Sequence, residues 1–93
     1  MTPEYRQRML VRGMVQGVGF RFFTCRTAEK YMLTGYVKNL NDGDVEVVAE
    51  GKKEDVEVFM NEIARGPSYS RIIEVKSFIE SPTGQYGAFG IRY

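Results

Sequence analysis

The chain has no histidine and one cysteine, Cys25, among its 93 residues. The missing histidine removes the commonest metal ligand and the commonest general base together. A lone cysteine excludes an internal disulfide and a cysteine metal cluster, and it suits a reducing compartment. With no histidine to activate it, Cys25 reads as a small core residue rather than a nucleophile. No apolar run approaches the roughly 20 residues of a membrane span. No basic-then-apolar leader opens the chain, and there is no linker, repeat or low-complexity tract. The expectation is one cytoplasmic domain, residues 1–93, with no membrane association, no metal and no cofactor.

What is present is ordinary for a folded domain: 43% hydrophobic and 13% aromatic residues, with a net charge of +1. The charge is unevenly placed. Residues 5–28 hold Arg6, Arg8, Arg12, Arg21 and Arg26 and no acid, whereas eleven acids face eight bases from Glu29 onward. Such a basic first third can steer a small anion. Arg6 and Arg8 are read as a solvated strand face.

One stretch organises the rest: Arg12-Gly13-Met14-Val15-Gln16-Gly17-Val18-Gly19-Phe20-Arg21. Before it, Tyr5–Arg12 alternates, with Gln7, Met9 and Val11 on one side. This predicts a strand. After it, Arg21–Leu33 predicts a helix with Phe22, Cys25, Ala28 and Met32 on its apolar stripe, widened by Phe23. Three glycines in seven residues allow a turn through positive φ. Successive N–H groups in such a turn can form an anion nest, and the helix start adds its own free N–H groups. The Arg21 fork matches phosphate oxygens. The stretch is neither a Walker loop nor a dinucleotide fingerprint. Spacing alone leaves two readings open, a phosphate cradle or a tight strand-to-helix turn beside a surface arginine.

The remaining elements follow in order. Tyr36–Leu40 and Val45–Glu50 read as strands joined at Asn41-Asp42-Gly43-Asp44, where Asp-Gly favours a hairpin. Glu54–Arg65 is a helix with Val56, Phe59, Met60, Ile63 and Ala64 on one stripe, ended by Gly66-Pro67. Arg71–Ile79 is a strand, and Phe89, Ile91 and Tyr93 alternate in a short closing one. This order predicts an α+β two-layer ferredoxin-like sandwich, βαββαβ, with an antiparallel sheet, both helices on one face and an extra C-terminal strand. The first two strands then run parallel, with the third between them. Their ends share one sheet edge about 10 Å apart, which brings Asn39 toward the loop. By itself Asn39 reads equally as a strand-end residue.

The run Gly13 to Arg21 resembles the acylphosphatase signature without a gap. Gly35-Tyr36-Val37-Lys38-Asn39, with Asp42-Gly43 through Glu50-Gly51, is similar to that family's second block, and Phe89–Tyr93 fits its ending. Two positions depart from the pattern: Tyr36 stands where tryptophan is frequent, and Met32 where glycine is. A left-handed cap at Met32 would cost about 1 kcal/mol.

The resemblance implies hydrolysis of a small-molecule acyl phosphate by a metal-free monomer. Arg21 and the backbone N–H groups of Gln16, Gly17, Val18, Gly19 and Phe20 would bind the phosphate, and Asn39 would position the water. Inorganic phosphate or sulfate should compete. Two other readings stand beside it. One is a non-catalytic ferredoxin-like module binding a small anion or RNA; against RNA, the third strand lacks the aromatics that stack bases. The other is a relative of the carbamoyl-phosphate domain of the hydrogenase-maturation protein. That protein continues into zinc modules, so a free-standing enzyme is expected here.

Overall fold

The computed structural model describes residues 3–17 and 19–93. Strand β1 (Tyr5–Met14) leads into helix α1 (Phe20–Lys30). Strands β2 (Thr34–Asn39) and β3 (Val45–Gly51) precede helix α2 (Lys53–Arg65), and β4 (Arg71–Glu80) and β5 (Phe89–Arg92) follow. The sheet order is β4-β1-β3-β2-β5. Neighbours are antiparallel except β2 and β5, which are parallel. The two helices pack on one face. This is the expected ferredoxin-like sandwich, with β5 added beside β2. Among the described residues no helix is long and apolar enough to cross a membrane.

Alternation along β1 buries Met9 and Val11 under the helices, and Val45, Val47 and Ala49 of β3 join them. From α2 the expected stripe arrives intact: Val56, Phe59, Met60 and Ile63 are buried. Each large side chain buried this way is worth about 1.5–3 kcal/mol.

Helix α1 departs from its expected face. Phe22 is 61% exposed and Met32 90% exposed, while Phe20, Thr24, Thr27 and Ala28 are buried. Ala28 of the expected stripe is buried and Phe23 and Cys25 pack against the core, but Phe20, Thr24 and Thr27 take the places given to Phe22 and Met32. Two threonines can line the core because each satisfies its hydroxyl inside the helix. Thr24 Oγ1 donates to Phe20 O (2.9 Å) and Thr27 Oγ1 to Phe23 O (2.8 Å). Both buried hydroxyls therefore avoid the penalty of an unpaired donor.

The helix also ends earlier than Leu33. Met32 N–H donates to Glu29 O (3.1 Å) and Leu33 N–H to Ala28 O (3.1 Å). This is a Schellman closure, and buried Leu33 and Ala28 supply its apolar contact. Its left-handed position falls on Met32, at φ 56°, the only non-glycine at positive φ among the described residues. An L-residue is strained there, and this exposed side chain gains little packing in return. Met32→Gly should therefore raise stability by about 0.5–1 kcal/mol. In a thermal melt the midpoint should rise by a few degrees, and a fall would contradict this account of the cap.

The open face of the sheet is not a solvated row of arginines. The Arg6 side chain is 12% exposed and that of Arg8 29%. Arg6 donates from Nη1 to Glu50 (2.9 Å) and from Nε to Glu80 (2.9 Å), and Arg8 donates from Nε to Glu80 (3.0 Å). Tyr36 donates from its hydroxyl to Glu46 (3.0 Å), and burial together with that bond pushes its phenol up to about 12. Val48 lies between Arg8 and Tyr36 in the ladder and is fully buried. Long stems and aromatic rings here do the covering that a second helical layer does elsewhere.

β4 and β5 stand at opposite edges, so residues 81–88 must cross the sheet end between them. Glu50 fixes that crossing. Its carboxylate accepts from Thr83 N–H (3.0 Å), Thr83 Oγ1 (3.0 Å) and Gly84 N–H (2.9 Å), besides Arg6.

Candidate active site

The end of the sheet opposite Glu50 collects the pieces picked out from the sequence. β1 leaves the sheet at Met14, and buried Val15 anchors the chain as it turns toward α1. Gly17 and Gly19 lie at φ 76° and 78°. A Cβ at Gly17 would meet nothing within 4 Å. Glycine is needed there for backbone freedom, not for room.

Gly19 caps α1, and the first helical hydrogen bond runs from Phe23 N–H to Gly19 O (3.0 Å). The N–H groups of Phe20, Arg21 and Phe22 precede that bond. No side chain caps this end, and no acid stands in the first turn. Helix α2 is handled differently. Its first turn carries Glu54 and Asp55, and Glu4 accepts the Lys53 N–H (2.9 Å). One helix meets its own dipole with carboxylates; at the start of the other, no acid and no capping side chain does so among the described residues.

A pocket of about 150 Å³ lies at the start of α1, lined by Val15, Gly17, Gly19, Phe20, Arg21, Phe22, Asn39 and Ile91. No carboxylate lines it. It brings together five of the seven residues expected from the sequence: Gly17, Gly19, Phe20, Arg21 and Asn39. Val18 lies outside the described residues. Phe20 is 1% exposed, with its ring in the core and its N–H at the helix start.

Gln16 is not among the lining residues, and its side chain has a task the sequence reading missed. Nε2 donates to Leu40 O (2.9 Å) and to Asp44 O (2.9 Å). Both hydrogens of the amide are thereby used on the β2–β3 connection, immediately after Asn39. That connection is itself closed by Leu40 N–H to Asp44 O (2.8 Å) and an Asx turn from Asp44 N–H to Asp42 Oδ1 (2.9 Å). The spacing of the signature carries no trace of this, because the acceptors are carbonyl groups 24 and 28 residues away.

Asn39 ends β2, opposite Val45. Its Oδ1 is buried and has no hydrogen-bond partner among the described residues. A buried acceptor without a protein partner calls for an explanation, and an ordered water or a bound group is one. Arg21 forms no ion pair among the described residues; its guanidinium carbon lies 5.1 Å from the centre of the Tyr93 ring. Cys25 sits on α1, half-buried. Burial, with Glu29 nearby, pushes its thiol up, which leaves it protonated at neutral pH and a poor nucleophile. No cluster of three His, Cys, Asp or Glu residues gathers among the described residues.

A pocket that gathers a helix start, one cation and a side-chain amide can hold a tetrahedral anion and a water beside it. Comparison with known proteins identifies the family. The family model described as acylphosphatase matches residues 7–91. An acylphosphatase of Moorella thermoacetica is 44% identical over 80 residues, 86% of each chain. The crystal structure of the Bacillus subtilis acylphosphatase superposes with a TM-score of 0.90 at 35% identity, covering 96% of this chain and 99% of that one. The T. kodakarensis HypF structure is also similar, at TM-score 0.80 and 37% identity, over 98% of this chain but only 12% of its own. With the signature in sequence, the sandwich and the family match together, the chain belongs to the acylphosphatase family.

Proposed function

We propose that this protein hydrolyses acyl phosphates to a carboxylate and inorganic phosphate. The free N–H groups of the loop and of the α1 start, with the Arg21 fork, bind the phosphate oxygens. Asn39 Oδ1 accepts a hydrogen bond from the attacking water. The observation that carries this reading is that one pocket gathers Gly17, Gly19, the start of α1, Arg21 and Asn39, whose buried Oδ1 has no partner among the described residues.

Phosphoryl transfer passes through a loose transition state with charge on the equatorial oxygens, so positioning and electrostatics supply most of the catalysis. Arg21 and fixed backbone dipoles provide both. Water forms its bond to phosphorus as the bond from phosphorus to the acyl oxygen breaks. The departing carboxylate is a weak base and takes no proton, and a phosphate oxygen of the substrate receives the proton from water. No general acid, metal or cofactor is required, and the pocket offers no acid for that task. An RNA-binding reading has less in its favour, because Arg6 and Arg8 on the open face are already engaged by Glu50, Glu80 and Glu46.

The direct test is phosphate release from a generic acyl phosphate beside an alkyl phosphate ester. Hydrolysis of the first with the second untouched is expected; an intact acyl phosphate would overturn the proposal. Inorganic phosphate and sulfate should compete with substrate. Arg21→Lys keeps the charge but loses the planar fork, so both anions should inhibit it far less. Wild-type phosphate inhibition in that variant would remove Arg21 from the binding site.

A further inference from the structure

Resting on the proposed hydrolysis of acyl phosphates, we propose that the Phe22 side chain is the contact surface for the acyl group, and that it makes the site favour acyl phosphates carrying an aromatic group over short aliphatic ones.

The pocket at the start of α1 holds about 150 Å³, less than the roughly 300–1,000 Å³ that encloses a drug-sized ligand. It takes the phosphate end of a substrate and leaves no room for a large acyl group as well. That group lies across the mouth, and the residues there decide which acyl groups are preferred.

Phe22 is placed for this. It lines the pocket and is 61% exposed. Exposure by itself is ordinary, and Ile73 and Ile79 are more exposed still. Among the exposed large apolar side chains of the described residues, Phe22 is the one that also lines this pocket. The core face of α1 is filled by Phe20, Thr24, Thr27 and Ala28, so the Phe22 ring is not required there. It is the third residue of the helix, and helical side chains lean toward the N-terminus. The ring therefore leans toward the end where Gly19 and Arg21 stand. Val15 and Ile91 continue the apolar surface into the pocket.

The ring is also restrained. Arg26, one turn further on, places its guanidinium carbon 5.6 Å from the ring centre, within the range of a cation–π contact. Arg26 forms no ion pair among the described residues. A side chain already held loses less freedom when a ligand packs against it.

The test compares benzoyl phosphate with acetyl phosphate on the full-length protein. In wild type the KM for benzoyl phosphate should be the lower. Phe22→Ala should lower the ratio of the two kcat/KM values, benzoyl over acetyl, by about 3- to 10-fold, the range of one aromatic contact. The change should fall on the KM for benzoyl phosphate, because the acyl group is held alike in ground and transition states. Phe22→Tyr keeps the ring and should keep the ratio. Tyr69→Ala is the control. That ring is 58% exposed, and its hydroxyl lies 3.7 Å from where a Cβ at Gly19 would stand, but it does not line the pocket. Its loss should leave the ratio at the wild-type value. Partial unfolding would lower both kcat/KM values together, so a changed ratio does not come from a lost fold. The proposal is overturned if wild type shows no lower KM for benzoyl phosphate, if Phe22→Ala leaves the ratio unchanged, or if Phe22→Tyr or Tyr69→Ala lowers it as far as Phe22→Ala does. If wild type leaves both acyl phosphates intact, the hydrolysis itself fails and the acyl contact with it. If wild type hydrolyses both and Phe22→Ala keeps the ratio, the acyl contact alone is excluded.

Discussion

Asn39→Ala should turn over about 10²–10³-fold more slowly than wild type while inorganic phosphate inhibits it almost as before. The magnitude is that of losing one oriented polar group from a preorganised site. The split follows from which groups the substitution leaves behind. The free N–H groups at the start of α1 and the Arg21 fork do not depend on Asn39, so the anion still binds. The aligned nucleophile is lost, which lowers kcat. Stability should move the other way. Asn39 Oδ1 makes no hydrogen bond among the described residues, so truncation removes an unmet acceptor. The melting temperature should hold or rise, the pattern of a residue kept for activity at some expense in stability. kcat, the phosphate inhibition constant and the melting temperature should be measured on one preparation. A variant that melts early and turns over normally would take Asn39 out of the mechanism and make it a strand-end residue.

The second large effect lies at the other end of the sheet. Glu50→Ala should destabilise the protein by about 3–5 kcal/mol, a large share of the 5–15 kcal/mol that usually holds a domain together. The Glu50 side chain is fully buried, and its removal leaves Arg6 with Glu80 as its one carboxylate partner and strands two N–H groups and the Thr83 hydroxyl. In a thermal melt the midpoint should fall on the order of 20 °C. An unchanged midpoint would mean that solvent replaces these bonds without cost.

Glu50 also shapes the acid limb. Burial alone would raise its carboxyl, but Arg6, the Gly84 N–H and Thr83 hold it below the usual range. Arg6 and Arg8 hold Glu80 low in the same way. Both carboxylates have folded pKa values below their unfolded ones. Their stabilisation is therefore complete above about pH 4.3, the unfolded glutamate value, and is lost as pH falls through the folded values. The melting temperature of Glu50→Gln should depend less steeply on pH between about 4.3 and the acid limit than that of wild type.

The parts legible in the sequence were those governed by local rules. Helix α2 announced itself because its stripe, its acidic start and its Gly-Pro stop all agree. The loop was legible because positive φ narrows the choice of residue, and Gly17 and Gly19 do adopt it. Asn39 came within reach through the strand order, which places β3 between β1 and β2 and aligns their ends. The face of α1 was misjudged because hydrophobicity cannot show that Thr24 and Thr27 satisfy their own hydroxyls. Arg6 and Arg8 read as solvated in the sequence because their partners at positions 50 and 80 meet them only across the ladder. Nothing in the spacing said which edge β5 would join, and hence which side chain Tyr93 would approach.

The two bonds from Gln16 bear on the entropy of the reaction. A glycine-rich loop has more conformational freedom to lose than any other segment, and fixing a backbone residue costs about 1–2 kcal/mol. Were that ordering left until a ligand arrived, it would be subtracted from every binding event. Gln16 instead ties the loop to the hairpin at Leu40 and Asp44, next to the end of β2 at Asn39. The two sides of the pocket are aligned by the fold itself. On the proposed mechanism an incoming anion would meet donors already aimed, with alignment of the reacting groups met in advance, before any encounter takes place.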